Sequence, residues 1–247
     1  MKIVGKTDIG KRRAENQDNY RAGRQPDDSV WAVVCDGMGG ARGGAVASSI
    51  SVSVMEDALA GELDAAGDPP AVRRLLEDAV QRANREVYEL SSADPSKRGM
   101  GTTLVAVVLK NGLAQIVHAG DSRAYLYREG ALQRLTRDHS MVQEMVEKGS
   151  LTPQEAEVHP NKNLITRAVG VNPLLPVEYG EQPLQEGDIF LLCSDGLTNF
   201  TSEEQLCEIL EENDFFAAAD AMIDAALEGG GQDNITAVLL KVEPTEV

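Results

Sequence analysis

The sequence is short of basic residues. Lys and Arg total 23 against 40 Asp and Glu, which leaves a formal net charge of −17 at pH 7. We expect no nucleic-acid partner, because phosphate backbones are bound by basic side chains, and no anionic membrane surface. The acidic excess fits either a solubilising surface or a set of carboxylates that binds cations.

Signals for membranes and for secretion are also lacking. No apolar run approaches the ~20 residues that cross a bilayer, and residues 1–8 contain no apolar signal-peptide core. The three cysteines, Cys35, Cys193 and Cys207, show no Cys-x-x-Cys spacing. They predict reduced thiols rather than disulfides or a zinc site. We therefore expect a cytoplasmic protein that does not associate with membranes.

The chain has the length and composition of a single globular domain. It has 247 residues, of which 42% are hydrophobic, and a domain of that size buries a sizeable core. No internal repeat, low-complexity tract or linker interrupts it. We expect one domain over residues 1–247.

The chain is organised around a buried strand that ends in an aspartate and a glycine-rich turn. Residues 30–35 form an apolar run rich in β-branched residues, typical of a strand buried on both faces, and Asp36 follows them. Gly37, Gly39 and Gly40 would let the backbone approach an ion or a phosphate closely. For this motif alone, a tight turn capped by Asp36 remains an alternative.

Five aspartates stand where predicted strands end or in loops. The set consists of Asp18, Asp36, Asp121, Asp195 and Asp233. Oxygen ligands without His or Cys favour Mg²⁺ or Mn²⁺ over zinc. Several carboxylates around one point imply more than one ion, and two ions bridged by water would generate hydroxide for in-line attack on phosphorus. Arg13 would bind phosphate oxygens through its guanidinium.

Helical spacing of apolar residues predicts helices over residues 45–59, 70–90, 202–210 and 215–227. Asn111-Gly112 predicts a two-residue hairpin turn between strands at 102–109 and 113–119. Residues 136–170 are mostly polar and are expected to be mostly helical. We interpret them as an excursion from the sheets that lies over a site, with an ordinary surface insertion as the alternative.

Five short motifs follow one another along the whole chain: Arg13-x-x-Asn16-Gln17-Asp18, Asp36-Gly37-Met38-Gly39-Gly40, Gly120-Asp121-Ser122-Arg123, Ser194-Asp195-Gly196 and Gln232-Asp233-Asn234-Ile235-Thr236. Each is weakly specific, whereas the ordered set is highly specific. Together with Asp138-His139-Ser140, the set resembles the metal-dependent protein Ser/Thr phosphatases of type 2C, the PPM family, and most of all their compact bacterial branch.

The resemblance implies an α+β fold, a four-layer α-β-β-α sandwich in which two antiparallel sheets pack face to face with helices outside. It also implies a centre of two Mn²⁺ or Mg²⁺ ions. Asp36 would bridge both ions, the Gly37 carbonyl would bind one, and Asp195 and Asp233 would hold the other. The 136–170 segment would contain a flap beside the site.

Three further roles come from the same resemblance. Arg13 would hold the substrate phosphate, Asp18 would orient metal-bound water, and Asp121 with Asp195 would bind a third, weaker ion. Three positions depart from the family pattern. Gly44-Ala45 stands where Gly-Glu is usual, and the other two bear on the general acid. Met38 stands where many eukaryotic members carry a His proposed as general acid, and Ala41 stands where many bacterial relatives carry His, so the sequence assigns no general acid.

We therefore expect a protein serine/threonine phosphatase that hydrolyses phosphoserine and phosphothreonine by attack of a metal-bridging hydroxide. Its partners would be phosphorylated proteins, including a Ser/Thr kinase and the substrates of that kinase, and it would be a monomer. A hydrolase of small phosphoesters and a phosphoprotein-binding pseudophosphatase remain alternatives. Of the histidines, His118 is expected to pack in a strand and His139 to fix the base of the flap.

Overall fold

The computed structural model describes residues 1–243, with the backbone alone at residues 40–42, so the side chain of Ala41 lies outside the described part. Within that part, eleven strands form two antiparallel sheets. The first sheet has the order β1 (Lys2–Asp8), β11 (Ile235–Lys241), β10 (Ile189–Cys193), β7 (Arg123–Arg128) and β8 (Ala131–Arg134). The second has the order β2 (Asp18–Arg24), β3 (Val30–Met38), β5 (Leu104–Lys110), β6 (Leu113–Ala119) and β9 (Glu178–Pro183), and the short β4 (Gly101–Thr102) pairs with β3.

Helices cover the outer face of each sheet. The second sheet packs against α1 (Gly40–Glu62) and α2 (Pro69–Ala93). The first sheet packs against α5 (Asp195–Thr198), α6 (Glu203–Glu212) and α7 (Phe215–Glu228). Two short helices, α3 (Met141–Glu147) and α4 (Pro153–Glu157), lie in the connection between β8 and β9. The predicted four-layer α-β-β-α sandwich is confirmed.

The apolar run of β3 serves two cores at once. Val30, Ala32 and Val34 belong to the core between the two sheets. Trp31, Val33 and Cys35 belong to the core between the second sheet and its helices. Successive side chains of a strand point to opposite faces, so a strand covered on both faces is apolar throughout. β3 is therefore buried on both faces along its apolar run, and Asp36 follows that run at the end of the sandwich.

The structure differs from the sequence-based expectation over residues 136–170. Only α3, of seven residues, and α4, of five, are helical there. Both begin at polar caps, and the side chains of Ser140 and Thr152 accept the capping hydrogen bonds. Helices this short present little apolar surface, and Pro160 prevents α4 from continuing, because proline has no backbone donor.

Among the helices of residues 1–243, none combines the length and the apolarity that a bilayer crossing requires.

Candidate metal centre

The predicted site residues meet in one cleft of about 510 Å³ at the end of the sandwich where β3 and β10 finish and β2 and β11 begin. Its walls include all but one of them: Arg13, Asp36, Gly37, Asp121, Asp195 and Asp233. Asp18 lies behind this wall, directly opposite Asp36 in the pairing of β2 with β3. Asn163 and Ile165, from the connection between β8 and β9, form part of the opposite wall.

The backbone of Asp36 is held by two threonines. The Asp36 N–H donates to Thr103 Oγ1 at 2.9 Å, and the Asp36 carbonyl accepts from the Thr102 hydroxyl at 2.8 Å and from the Thr103 N–H at 2.9 Å. Burial, followed by repulsion from Asp18 and Asp195, raises the pKa of Asp36 well above its ordinary value. Burial and the neighbouring carboxylates thus disfavour the charged form of Asp36, and a cation beside it would favour that form.

Gly37 occupies a position with no room for a side chain. A Cβ there would lie 2.1 Å from the carbonyl oxygen of Gly44, in the first turn of α1. This close approach brings the start of α1 against the end of β3, and only glycine leaves room for it. The backbone of Gly37 consequently lines the cleft beside Asp36.

Asp18 is buried, and only one of its two carboxylate oxygens has hydrogen-bond partners among the described residues. Its Oδ2 accepts hydrogen bonds of 2.6 Å from both the Ser194 and the Thr236 hydroxyls. Its Oδ1 is buried and has no hydrogen-bond partner among the described residues. Burial raises the pKa of Asp18 to about 7, against the opposing effect of those two hydrogen bonds. The geometry leaves one carboxylate oxygen available for a further contact.

The carboxylates of the first sheet are similarly crowded. Asp195 opens α5; its Oδ2 accepts from Asn199 Nδ2 at 2.9 Å, and its buried Oδ1 has no partner within the described chain. Burial and then repulsion from Asp233 raise the pKa of Asp195. Burial and then repulsion from Asp195 raise the pKa of Asp121 to about 8. Asp233 Oδ2 instead accepts from the Arg13 guanidinium at 2.7 Å.

These features fit divalent cations that prefer oxygen. The charged oxygen donors that line the cleft are carboxylates, and two buried carboxylate oxygens, of Asp18 and Asp195, lack partners among the described residues. Carboxylates packed this closely repel one another, and a cation between them would remove that cost. The donor chemistry selects Mg²⁺ or Mn²⁺ rather than zinc.

A second group of possible metal ligands lies nearby, but it is a hydrogen-bonded network. Atoms of His118, His139 and Glu178 lie within 4.8 Å of one another. His118 Nε2 is bonded to the Arg137 carbonyl at 2.9 Å, and His139 Nδ1 accepts from the Gly120 N–H at 3.1 Å. His139 Nε2 lies 2.9 Å from Glu178, whose carboxylate is also within 4 Å of two arginines. Nε2 of each ring faces a hydrogen-bond acceptor, the His139 Nδ1 lone pair accepts from Gly120, and the Glu178 carboxylate is paired with arginines.

His139 ties the β8–β9 connection to the cleft. Its N–H donates to the Gly120 carbonyl at 2.9 Å, and its own carbonyl accepts from the Thr166 N–H at 2.7 Å. Gly120 directly precedes Asp121. The buried His139 thus lies where the connection leaves and rejoins the sheets, whereas the sequence offered it only as the expected base of a flap.

The remaining cleft residue of interest is Met38, which lines the wall. Its thioether carries no acidic proton.

Sequence reasoning assigned no role to Ser194, Asn199 or Asn234, and the structure places all three in contact with site aspartates or with the loop that carries Arg13. Two of the three, Ser194 and Asn234, stand beside a predicted aspartate within the quoted motifs, and that placement was the available signal.

Residues 6–239 match the family model for protein phosphatase 2C. The chain belongs to the protein phosphatase 2C family. It is 38% identical over 242 residues to the serine/threonine phosphatase stp of Listeria monocytogenes serotype 4b, covering 98% of this chain and 96% of that protein. The family resemblance and the predicted enzyme class, a phosphatase and hence a hydrolase, are confirmed.

Solved structures of the family agree with this fold. The serine/threonine phosphatase of S. agalactiae superposes with a TM-score of 0.92 at 35% identity, covering 98% of this chain and 99% of that one. The catalytic domain of the phosphatase PstP, solved in complex with two manganese ions, superposes with a TM-score of 0.86 at 34% identity, and the match covers 98% of both chains.

Proposed function

We propose that the protein is a serine/threonine phosphatase that removes phosphate from phosphoserine and phosphothreonine, with two Mn²⁺ or Mg²⁺ ions held in the cleft. The observation that carries the proposal is the convergence of four aspartates and Arg13 on one cleft, where buried carboxylate oxygens have no partner in the part of the chain that the structure describes. The manganese pair in the similar PstP structure supports it.

The residues of the cleft wall fit the ligand set that the family resemblance implies. Asp36 would serve both ions, the Gly37 carbonyl would bind one of them, and Asp195 and Asp233 would hold the other. Asp121, with Asp195, would bind a weaker third ion. Bound there, the ions would lower the pKa of water and offset the charge that develops on the phosphoryl oxygens.

The other site residues act on substrate and water. Arg13, whose guanidinium lies at the cleft rim and reaches Asp233, would bind the phosphoryl oxygens. Asp18 would use its remaining oxygen, Oδ1, to orient water. Because Met38 has no proton to give, we assign the proton of the leaving alkoxide to water.

The finer features of the function belong to the same proposal. Residues 1–247 would form one catalytic domain, with residues 136–170 as a flap whose Asn163 and Ile165 face the substrate. The substrates would be phosphoproteins, among them a Ser/Thr kinase and the proteins that this kinase phosphorylates. The protein would act as a monomer in the cytoplasm, where its three unpaired cysteines would stay reduced.

The test is hydrolysis of a phosphothreonine peptide and of p-nitrophenyl phosphate in Mn²⁺, in EDTA, and by Asp36→Asn in Mn²⁺. Turnover should disappear in EDTA and in the variant. Asp64→Asn removes the same charge from an exposed position and should retain activity. Manganese binding without turnover would instead indicate a phosphoprotein-binding module, and nucleotides hydrolysed far better than phosphopeptides would indicate a small-phosphoester hydrolase.

A further inference from the structure

One buried side-chain amide holds the loop that carries Arg13. Asn234, only 5% exposed, donates from Nδ2 to the Ile9 carbonyl at 2.9 Å and to the Glu15 carbonyl at 3.1 Å. Its Oδ1 accepts from the Gln17 N–H at 2.8 Å. A side-chain amide has two N–H donors, so Asn234 commits both donors to the two ends of one loop. These bonds leave its oxygen directed at the loop rather than at the cleft.

One further hydrogen bond and one close backbone approach hold the loop against the chain around Asp233. The Lys11 N–H donates to the Gly231 carbonyl at 2.6 Å. Gly10 has a φ of +74°, and a Cβ there would lie 2.0 Å from the Asp233 carbonyl oxygen. The backbone of residues 9–17 is therefore fastened against residues 231–234 at several points.

Arg13 itself depends on this backbone for its position. Its side chain is 54% exposed, and within the described part of the chain its guanidinium has one ion-pair partner, Asp233 Oδ2, at 2.7 Å. A long, half-exposed side chain loses considerable rotamer freedom when it binds a ligand. A fixed Arg13 backbone lowers the entropy cost of binding, because the guanidinium then samples fewer positions before the ligand binds.

We propose that Asn234 is a positioning residue that sets Arg13 against Asp233 and so determines how tightly the phosphoryl group is bound. The inference rests on the proposed function, because it assigns the phosphoryl group to Arg13. Asn234 lines the cleft, but its side-chain amide bonds the loop. It acts by closing the loop that presents the guanidinium.

A double-mutant cycle between Asn234 and Arg13 tests this inference. The variants are Asn234→Ala, Arg13→Ala and the double variant, and the measurements are KM for a phosphothreonine peptide and calorimetric binding of inorganic phosphate to the Mn²⁺-loaded proteins. Each single variant should weaken phosphate binding by about tenfold, the loss expected for one charge-assisted hydrogen bond. The double variant should bind phosphate no more weakly than Arg13→Ala, because the two residues act through one contact.

Asn84 provides a matched control. It is a buried asparagine that likewise bonds three backbone groups of one loop: its Nδ2 donates to the Asn172 and Pro173 carbonyls, and its Oδ1 accepts from the Gly170 N–H. Asn84→Ala should lower the melting temperature as Asn234→Ala does, yet its effect on phosphate binding should simply add to that of Arg13→Ala.

The possible outcomes are distinct. Additivity between Asn234→Ala and Arg13→Ala would overturn the inference, as would a loss confined to Mn²⁺ affinity. If the alanine variant does not fold, Asn234→Asp keeps the acceptor for Gln17 and removes both donations, and it should weaken phosphate binding in the same non-additive way. Failure of both variants to fold would make Asn234 a requirement of the fold and reject the inference. An inactive wild-type protein would instead refute the proposed function.

Discussion

At the scale of single residues, the site is held by hydroxyl groups that bond to buried carboxylates. Ser194 is the clearest case. Its hydroxyl donates to Asp18 Oδ2 at 2.6 Å and accepts from the Thr236 N–H at 3.1 Å. One small side chain therefore joins the end of β10 to the start of β2 and to β11. Such a residue contributes to the fold and to the site at once.

We predict that Ser194→Ala lowers the free energy of unfolding by about 1–3 kcal/mol, the cost of leaving buried hydrogen-bonding groups without a partner. Urea unfolding in EDTA measures this change without the contribution of bound metal. Ser51→Ala is the matched control, since Ser51 is also fully buried but its hydroxyl has no partner in the described chain. An equal loss in both variants would contradict this account of Ser194.

A second prediction concerns the close approach of α1 to β3. Gly37→Ala places a methyl group 2.1 Å from the Gly44 carbonyl, so β3 and α1 must separate. We expect reduced stability in thermal unfolding and strongly weakened Mn²⁺ binding, because Asp36 moves with the strand. Gly61→Ala, late in the same helix with open space around it, should stabilise by about 0.5–1 kcal/mol instead. Unchanged Mn²⁺ affinity in Gly37→Ala would show that the contact does not position the site.

At the scale of elements, the sequence predicted the interior strands and missed two at sheet edges. β3, β5 and β10 are apolar enough to identify alone, whereas β2 and β9 are polar and only partly buried. These two are strands because they pair with β3 and β6, and propensity does not encode such pairing. The turn at Asn111-Gly112 was predictable because both residues adopt the left-handed conformation that a tight hairpin requires.

The candidate site divides in the same way. The aspartates could be named from the sequence, because each follows an apolar strand, lies in a glycine-rich loop or, like Asp18, lies in a polar segment that also supplies a cation, Arg13. Their hydrogen-bonding partners could not, because Ser194, Thr236 and Asp18 are brought together only when the first and second sheets pack. Local pattern thus identifies the charged groups, and tertiary packing decides which neutral groups support them.

The connection between β8 and β9 is the element most open to change. Residues 143–161 contain no buried side chain, while the base is fixed by His139 and by the bridge between Ser140 and Ile165. We predict that replacing residues 148–161 with a short Gly-Ser linker leaves the melting temperature within a few degrees of wild type, because little apolar area is removed.

The same shortened variant separates the two kinds of substrate. Turnover of p-nitrophenyl phosphate should persist, since the carboxylates and Arg13 are untouched. KM for a phosphothreonine peptide should rise, because the wall that includes Asn163 would lose its support. Equal effects on both substrates would argue against a flap that contacts the protein substrate, and a variant that unfolds would show that the segment stabilises the sandwich.

At the scale of the whole molecule, the carboxylate cluster makes stability depend on pH and on metal together. Burial raises the pKa of Asp18 to about 7 and that of Asp121 to about 8. A carboxyl group whose pKa is higher in the folded state binds more protons when folded than when unfolded. Its contribution to stability is therefore present at low pH and is lost as the pH rises through the folded pKa. In EDTA, we predict that the free energy of unfolding decreases from pH 7 to pH 8.5.

The histidines do not cause the predicted decrease. Burial lowers the pKa of both His118 and His139, and a histidine whose pKa is lower in the folded state makes stability rise with pH rather than fall. Saturating Mn²⁺ should flatten the slope, because a cation favours the ionised carboxylates of the folded state. Asp121→Asn should reduce the slope in EDTA by removing one titrating group, whereas Asp64→Asn, at an exposed position, should not. Denaturant unfolding at each pH measures this dependence, and stability that rises with pH in EDTA would mean that the carboxylates are already offset by the protein's own cations.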